Sequence, residues 1–281
     1  MEIARTVADL RRHIAVWRNG DERIGLVPTM GALHQGHMAL VAAARAECDR
    51  VVASIFVNPK QFAPTEDLAS YPRREAADLE MLRSAGVNLV YLPALEEMYP
   101  PDFATLVQVS GLTEGLCGAH RAGHFDGVTT VVTKLLVQAV PDIAYFGEKD
   151  YQQLTAVRRL ARDLDIPVRI AGVPTVREAD GLALSSRNVY LSAEERRIAP
   201  NLARVLRSIA AALAEDPTAI AREIAQGSAA LQQAGFAVEY LEIREAVTLA
   251  VTSEVTASSR VFAAVRLGKT RLIDNMPIAH D

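Results

Sequence analysis

The sequence predicts an α/β protein: a parallel sheet flanked by helices, followed from about residue 176 by a smaller α+β domain. Three observations carry this. Short apolar, β-branched runs at 24–27, 51–57, 88–92, 143–146 and 167–173 alternate with longer stretches of helical period, the pattern of repeated βαβ units. Two strands joined by one helix must run parallel, with a right-handed crossover. Beyond residue 190 the chain turns to alanine-rich helical stretches and then to strand-like runs at 238–243, 260–267 and 271–276. The expected domain limits are therefore 1–175 and 176–281.

Bulk properties narrow the class. Half of the 281 residues are apolar, enough for a large core. The net charge of -4 and pI near 5.9 argue against a nucleic-acid partner, which needs a basic face. No apolar run suits a bilayer: the longest, 128–140, contains Lys134 and Gln138. The first residues lack the apolar core of a signal peptide. Cys48 and Cys117, the only cysteines, have no metal-ligand spacing. A cytoplasmic protein with two reduced thiols, away from membranes, is expected.

In chain order, Val7, Leu10, Ile14 and Trp17 recur at helical spacing, so 6–19 should be a helix packed by one face. A buried strand at 24–27 leads into Pro28-Thr29-Met30-Gly31-Ala32-Leu33-His34-Gln35-Gly36-His37, and a helix follows at 38–48. Gly31 and Gly36 allow backbone shapes and close approaches that a Cβ forbids. Unpaired N–H groups and the positive dipole end at the helix start suit a phosphate. His34 and His37 add side-chain donors. Two histidines in a turn, one satisfied by backbone, fit the same letters. A zinc pair lacks Cys, Asp or Glu in ligand spacing.

The strand at 51–57 ends in Asn58-Pro59-Lys60-Gln61-Phe62. Ligands bind beyond the carboxyl ends of such strands, so this loop should meet the histidine turn. The Gln61 amide can donate and accept, suiting a hydroxyl or carboxylate; a solvated loop residue is the other reading. Residues 66–73 are polar and turn-rich, as in a mobile flap. A helix at 74–85 should stop at Gly86. After the strand at 88–92 come a loop marked by Pro100-Pro101, a short strand at 105–109, and a glycine-rich loop at 111–127 able to wrap a ligand. Arg121 in that loop can pair an anion or stand solvated. A helix at 128–140 ends at Pro141.

The strand at 143–146 runs into Gly147-Glu148-Lys149-Asp150 and a helix at 151–164. Lys149 offers a point charge for a phosphate, Asp150 an acceptor for ribose hydroxyls, and Gln153 lies one turn further on. A capped helix start with a surface Lys–Asp pair explains these letters equally well. After the strand at 167–173, Ser185, Ser186 and Arg187 set hydroxyls beside a guanidinium, a phosphate-gripping set or a polar linker. Ser192-Ala193-Glu194-Glu195 is a capping box. Pro200 interrupts the helix, further helices are expected at 201–214 and 218–234, and a hairpin at 267–271. Gly268-Lys269-Thr270 lacks the earlier glycine and the strand–loop–helix setting of a P-loop. Residues 276–281 should fray.

Taken together, residues 27–37, 54–62, 144–153 and 172–188, in that order, with Tyr240-Leu241-Glu242-Ile243-Arg244 and 267–275, resemble the pantothenate synthetase family. Ala122 departs from the family, which usually has proline there. The resemblance implies a Rossmann-like domain of the HxGH nucleotidylyltransferase type, with the smaller C-terminal domain closing over the site. It implies ATP-dependent joining of (R)-pantoate and β-alanine through a pantoyl adenylate, releasing AMP and pyrophosphate. Mg²⁺ and a homodimer come with it. Met30, Gly31, Ala32, Leu33, His34, Gln35, Gly36 and His37 would line the ATP phosphates, with His37 as proton donor and His34 beside it. Gly147, Glu148, Lys149 and Asp150 would hold the nucleotide, Lys149 on its phosphates, and Val176 would present backbone to adenine. Leu184, Ser185, Ser186 and Arg187 would close over the triphosphate. Gln61 and Gln153 would hold pantoate, with Gln61 also near β-alanine. The implied catalytic set is His37, His34, Lys149 and Arg187, and no residue is assigned to the metal. Transfer of a nucleotidyl group to another small acceptor, or non-catalytic nucleotide binding, are the rival readings.

Overall fold

The β-branched runs pair into an all-parallel sheet in a computed structural model that describes residues 1–64 and 66–278. Among these residues its strands are β1 (Glu2–Ala4), β2 (Ile24–Thr29), β3 (Arg50–Ile55), β4 (Leu89–Tyr91), β5 (Ile143–Gly147) and β6 (Arg169–Val173), in the order β1-β4-β3-β2-β5-β6. The helices are α1 (Val7–Asn19), α2 (Gln35–Glu47), α3 (Glu75–Ser84), α4 (Leu95–Met98), α5 (Cys117–His120), α6 (His124–Ala139) and α7 (Tyr151–Asp163). Helices on both faces explain why β3 is buried continuously from Val51 to Ile55, Ser54 included, instead of alternating. Thr6 caps α1 through the Asp9 N–H, and Leu10 and Ile14 are its buried face.

Strand order locates the edge of the sheet suited to a ligand. From β2 the chain steps outward to β3 and β4, then returns to β5 on the other side of β2. Gly25 pairs with Ile143 and Leu26 with Ala144. The topological switch lies between β2 and β5, and open α/β sheets bind ligands at the carboxyl ends of the strands there.

Three expectations need correction. β1 was not expected, because three residues paired to β4 give no periodic signal. Residues 105–109 form no strand: Val107 N–H donates to Thr130 Oγ1 at 3.0 Å, and its carbonyl accepts from Thr129 Oγ1. The helix side chains satisfy the backbone that a neighbouring strand would have served. The glycine-rich stretch is partly helical, since it contains α5 and the start of α6.

The chain groups into two compact units. The first comprises Met1–Ser110, Arg121–Glu148 and Gln153–Pro174; the second comprises Gly111–His120, Lys149–Gln152 and Thr175–Asp281. This grouping differs from limits of 1–175 and 176–281 in two segments and in the placing of Thr175. Buried Gln152 ties those two together: its Oε1 accepts from Cys117 N at 3.0 Å, and its Nε2 donates to Leu112 O at 3.0 Å and Gly115 O at 2.8 Å.

In the second unit α8 (Ala193–Ile198) starts at the expected capping box, and α9 (Asn201–Glu215) and α10 (Ile220–Gln233) follow. An antiparallel sheet joins β7 (Ala237–Glu245), β8 (Ser259–Leu267) and β9 (Thr270–Pro277). Leu202, Leu206 and Ile209 of α9 share one core with Val261, Ala263 and Val265 of β8. Of the stretch expected to fray, Met276 and Pro277 lie in β9 and Ile278 is buried; 279–281 lie outside the described residues.

Candidate active site

At the end of β2, Thr29 Oγ1 donates to Ser54 O at 2.7 Å and accepts from Gly31 N at 3.2 Å. The chain then turns through two left-handed residues, Gly31 (φ 77) and Ala32 (φ 50). A Cβ on Gly31 would stand 3.0 Å from Asp78 Oδ2 and 3.2 Å from Ile55 Cγ2, so both the left-handed backbone and the tight surroundings favour glycine there. Ala32 holds its conformation at a cost of about 1–2 kcal/mol. Asp78 of α3, only 2% exposed, holds this turn in place. Its two oxygens accept from Ala32 N and Leu33 N, each at 2.8 Å. Gly36, by contrast, sits inside α2 and is not left-handed.

His34 is the N-cap of α2 and His37 lies three residues on. His34 Nδ1 accepts from Gly36 N at 3.1 Å, and His37 Nδ1 accepts from His34 N at 3.3 Å. The ring centroids are 4.1 Å apart. This corrects the expectation of unpaired backbone donors at the turn: Asp78 and the two imidazoles engage them. It also fixes chemistry. A ring nitrogen that accepts an N–H carries no proton, so each neutral imidazole has its proton on Nε2. Each ring therefore carries its N–H at Nε2, near the positive end of α2. The reading of one histidine satisfied by backbone holds for both, each through Nδ1.

Gln61 ends the 3-10 turn Pro59–Gln61 and is buried, not solvated. Asn58 Nδ2 donates to Gln61 Oε1 at 3.1 Å and to Gly127 O at 3.0 Å, and Tyr99 Oη donates to Asn58 Oδ1 at 2.8 Å. Gln61 Nε2 lies 3.1 Å from Met30 Sδ, so this loop does meet the histidine turn. Helix α6 presses against the loop at Gly127, where a Cβ would fall 2.2 Å from Lys60 O. Arg121 is neither solvated nor open to an anion. Its Nε and Nη2 donate to Glu66 Oε1 and Oε2 at 2.6 and 2.7 Å. Burial pushes the Glu66 carboxyl up, but the Arg121 hydrogen bonds and charge outweigh it and hold the group below its ordinary range. Glu66 is the first residue of the stretch expected to be a flap.

Gly147 closes β5 opposite Val173, and Glu148 Cγ stands beside Gly172. By register with β2, they lie at the same sheet edge as the histidine turn. Gln153 occupies the first turn of α7.

Lys149, Asp150, Val176, Leu184, Ser185, Ser186 and Arg187 belong to the second unit. Lys149 Nζ is 3.8 Å from Asp150 Oδ1. A polar network links the Lys149 corner to the Arg187 turn. Asn275 Nδ2 donates to Lys149 O at 3.0 Å, and Asn275 N donates to Asp274 Oδ1 at 2.8 Å. Arg177 clasps Asp274 with bonds of 2.6 and 2.9 Å. Arg177 pairs with Ala183, and Leu184 N donates to Val176 O at 3.0 Å. Ser185 Oγ then caps the turn Ser186–Tyr190 through Arg187 N at 3.2 Å. Arg260 Nε donates to Asn275 Oδ1 at 2.8 Å and its guanidinium lies 4.1 Å over the Tyr151 ring. Sequence reasoning missed Asp78, Asp274, Asn275 and Arg260. The adjacent polar pair Asp274-Asn275 within a strand was visible in the sequence, but that both are buried emerges only from the fold.

Comparison with known proteins is consistent along the whole length. A family model described as pantoate-beta-alanine ligase matches residues 2–277. The chain is similar to the pantothenate synthetase of Paramagnetospirillum magneticum, 55% identical over 279 residues, covering 99% of this chain and 98% of that one. It is equally similar to that of a Chelativorans species, 55% identical over 278 residues with the same coverage. Among solved structures it resembles the pantothenate synthetase from Thermus thermophilus, with a TM-score of 0.94, 50% identity, and 99% and 100% coverage of the two chains. It also resembles the pantoate-beta-alanine ligase from Francisella tularensis complexed with beta-gamma ATP and beta-alanine, with a TM-score of 0.82, 33% identity, and 99% and 98% coverage.

Proposed function

The chain belongs to the pantoate–β-alanine ligase family, and from that premise we propose how its own residues serve the reaction. It is an ATP-dependent ligase that forms the amide bond of pantothenate from pantoate and β-alanine. The full-length family match carries this conclusion, and the double-histidine cap beside Gln61 at the switch point supplies a physical basis for it.

A carboxylate resists amines because its oxygen is a poor leaving group. A pantoate carboxylate oxygen attacks the α-phosphorus of ATP, the α–β bridging P–O bond breaks, and pyrophosphate departs with the electron pair. The amine nitrogen of β-alanine then attacks the carbonyl carbon of the pantoyl adenylate. The C–O bond to phosphorus breaks, AMP leaves, and the amine proton passes to solvent. Charge builds on the phosphates in the first step, where preorganised donors have most effect.

His34 and His37 supply Nε2–H hydrogen bonds to those phosphates; His37, neutral, stabilises the developing charge without giving up its proton. Lys149 supplies a point charge, and Arg187 with Ser185, Ser186 and Leu184 grips the triphosphate. Gly147, Glu148 and Asp150 hold the nucleoside and Val176 offers backbone to adenine. The neutral amides of Gln61 and Gln153 fix pantoate without adding charge beside ATP. Pro28, Met30 and Phe62 are apolar surface for its dimethyl group. Among the described residues no three His, Cys, Asp or Glu side chains gather as a metal cage. The family resemblance implies Mg²⁺, which would neutralise the charge developing on the phosphates. We place the enzyme in the cytoplasm as a homodimer. The free thiols Cys48 and Cys117 fit a reducing compartment, and among the described residues no helix is long and apolar enough to cross a membrane.

Incubation with ATP, pantoate and β-alanine should release one AMP per pantothenate formed. A nucleotidylyltransferase acting on another acceptor, or a nucleotide-binding regulator, would release none, and that outcome would overturn the proposal.

A further inference from the structure

Glu66, Arg121 and His124 take no part in the steps above, yet they form one connected line to the backbone of Gln61. His124 is buried, with Nδ1 2.8 Å from Gln61 O and Nε2 2.8 Å from Arg121 Nη1. A guanidinium has no acceptor, so His124 Nε2 must accept from Arg121. The ring proton of the neutral imidazole is then on Nδ1, and that N–H donates to the Gln61 carbonyl. Arg121 is itself fixed by both oxygens of Glu66. Arg121 Nη2 also reaches toward Gln61 O at 3.4 Å. On the same helix, Gly127 receives Asn58 Nδ2, which also holds the Gln61 side chain.

We propose that His124, oriented by Arg121 and Glu66, is a positioning residue for Gln61: it fixes the Gln61 peptide, and through it the amide that holds pantoate. The tautomer is opposite to that of His34 and His37, and each is set by its neighbours. Because Glu66 opens the polar stretch 66–73, placement of that stretch and placement of the substrate amide are mechanically joined. The inference rests on the reading of Gln61 as a pantoate ligand.

Steady-state kinetics of the full chain, with pantoate and ATP varied separately, tests both. Gln61→Ala is the reference and should raise the KM for pantoate. His124→Ala should raise it about five- to tenfold, as loss of a positioning hydrogen bond would, with the KM for ATP changed less than about twofold. His124→Asn, whose Nδ2–H can stand where Nδ1–H stood, should recover most of the loss. Glu66→Gln, which leaves Arg121 one good acceptor, should give a smaller rise of the same selectivity. If Gln61→Ala raises the pantoate KM and His124→Ala does not, the relay alone is wrong. If Gln61→Ala leaves that KM unchanged, the pantoate role of Gln61 falls and the relay falls with it. Equal losses toward both substrates, or no rescue by asparagine, would reduce His124 to a packing role and overturn the proposal. Should His124→Ala fail to fold, Glu66→Gln decides: a selective rise supports the relay and an unchanged KM refutes it.

Discussion

Replacing His37 with alanine should lower kcat by roughly 10²-fold or more while leaving a folded enzyme. The magnitude is that of removing one preorganised donor from developing charge. His37 has two separable duties. Its Nδ1 caps the His34 N–H, and loss of a cap costs about 0.5–2 kcal/mol of stability. In the mechanism proposed above, its Nε2–H is the group that stabilises the phosphates. His37→Asn separates the two, because an amide oxygen can replace Nδ1 as the cap while no donor reaches the Nε2 position. The asparagine variant should melt near the parent temperature and still turn over slowly. Near-normal kcat in either variant would remove His37 from the mechanism.

Asp78→Ala should be the most destabilising single change at the site. Asp78 is buried and its two oxygens accept the Ala32 and Leu33 N–H groups at 2.8 Å. Hydrogen bonds to a charged partner contribute about 1.5–3 kcal/mol each, so the loss of two is roughly 3–6 kcal/mol. For a chain of this size that lowers Tm by about 10 °C. The left-handed strain at Ala32 would then relax, moving the histidine turn, so activity should fall along with stability. Asp78→Asn keeps one acceptor but turns an NH₂ toward the other N–H, and should fall between. A melting temperature within about 2 °C of the parent, measured calorimetrically for Asp78→Ala, would show that the turn holds itself.

Long periodic segments were legible because their signal is local. Leu10 and Ile14 mark α1, and the β-branched run 51–57 marks β3. The histidine turn was legible as a strand-to-helix junction, and its meeting with the Gln61 loop followed from the parallel topology. What was not legible is long-range. Asp78 is an ordinary helical aspartate until the chain folds it against residues 45 and 46 positions earlier. Arg121 finds Glu66 across 55 residues, and no local pattern encodes that. The state of the α2 donors was misjudged for a different reason: side chains at a helix start compete with ligands for the same N–H groups, and spacing alone does not say which wins. Segment 105–109 fails similarly, since threonines of α6 supply the bonds that a strand neighbour would have made.

The central claim is that the acid is activated as a pantoyl adenylate before the amide forms. Pantoate labelled with ¹⁸O in both carboxylate oxygens tests it most directly, with AMP analysed by mass spectrometry after turnover with ATP and β-alanine. The attacking oxygen stays on phosphorus when the C–O bond breaks, so AMP should carry one ¹⁸O and the pantothenate amide the other. Unlabelled AMP accompanying pantothenate formation would contradict the account.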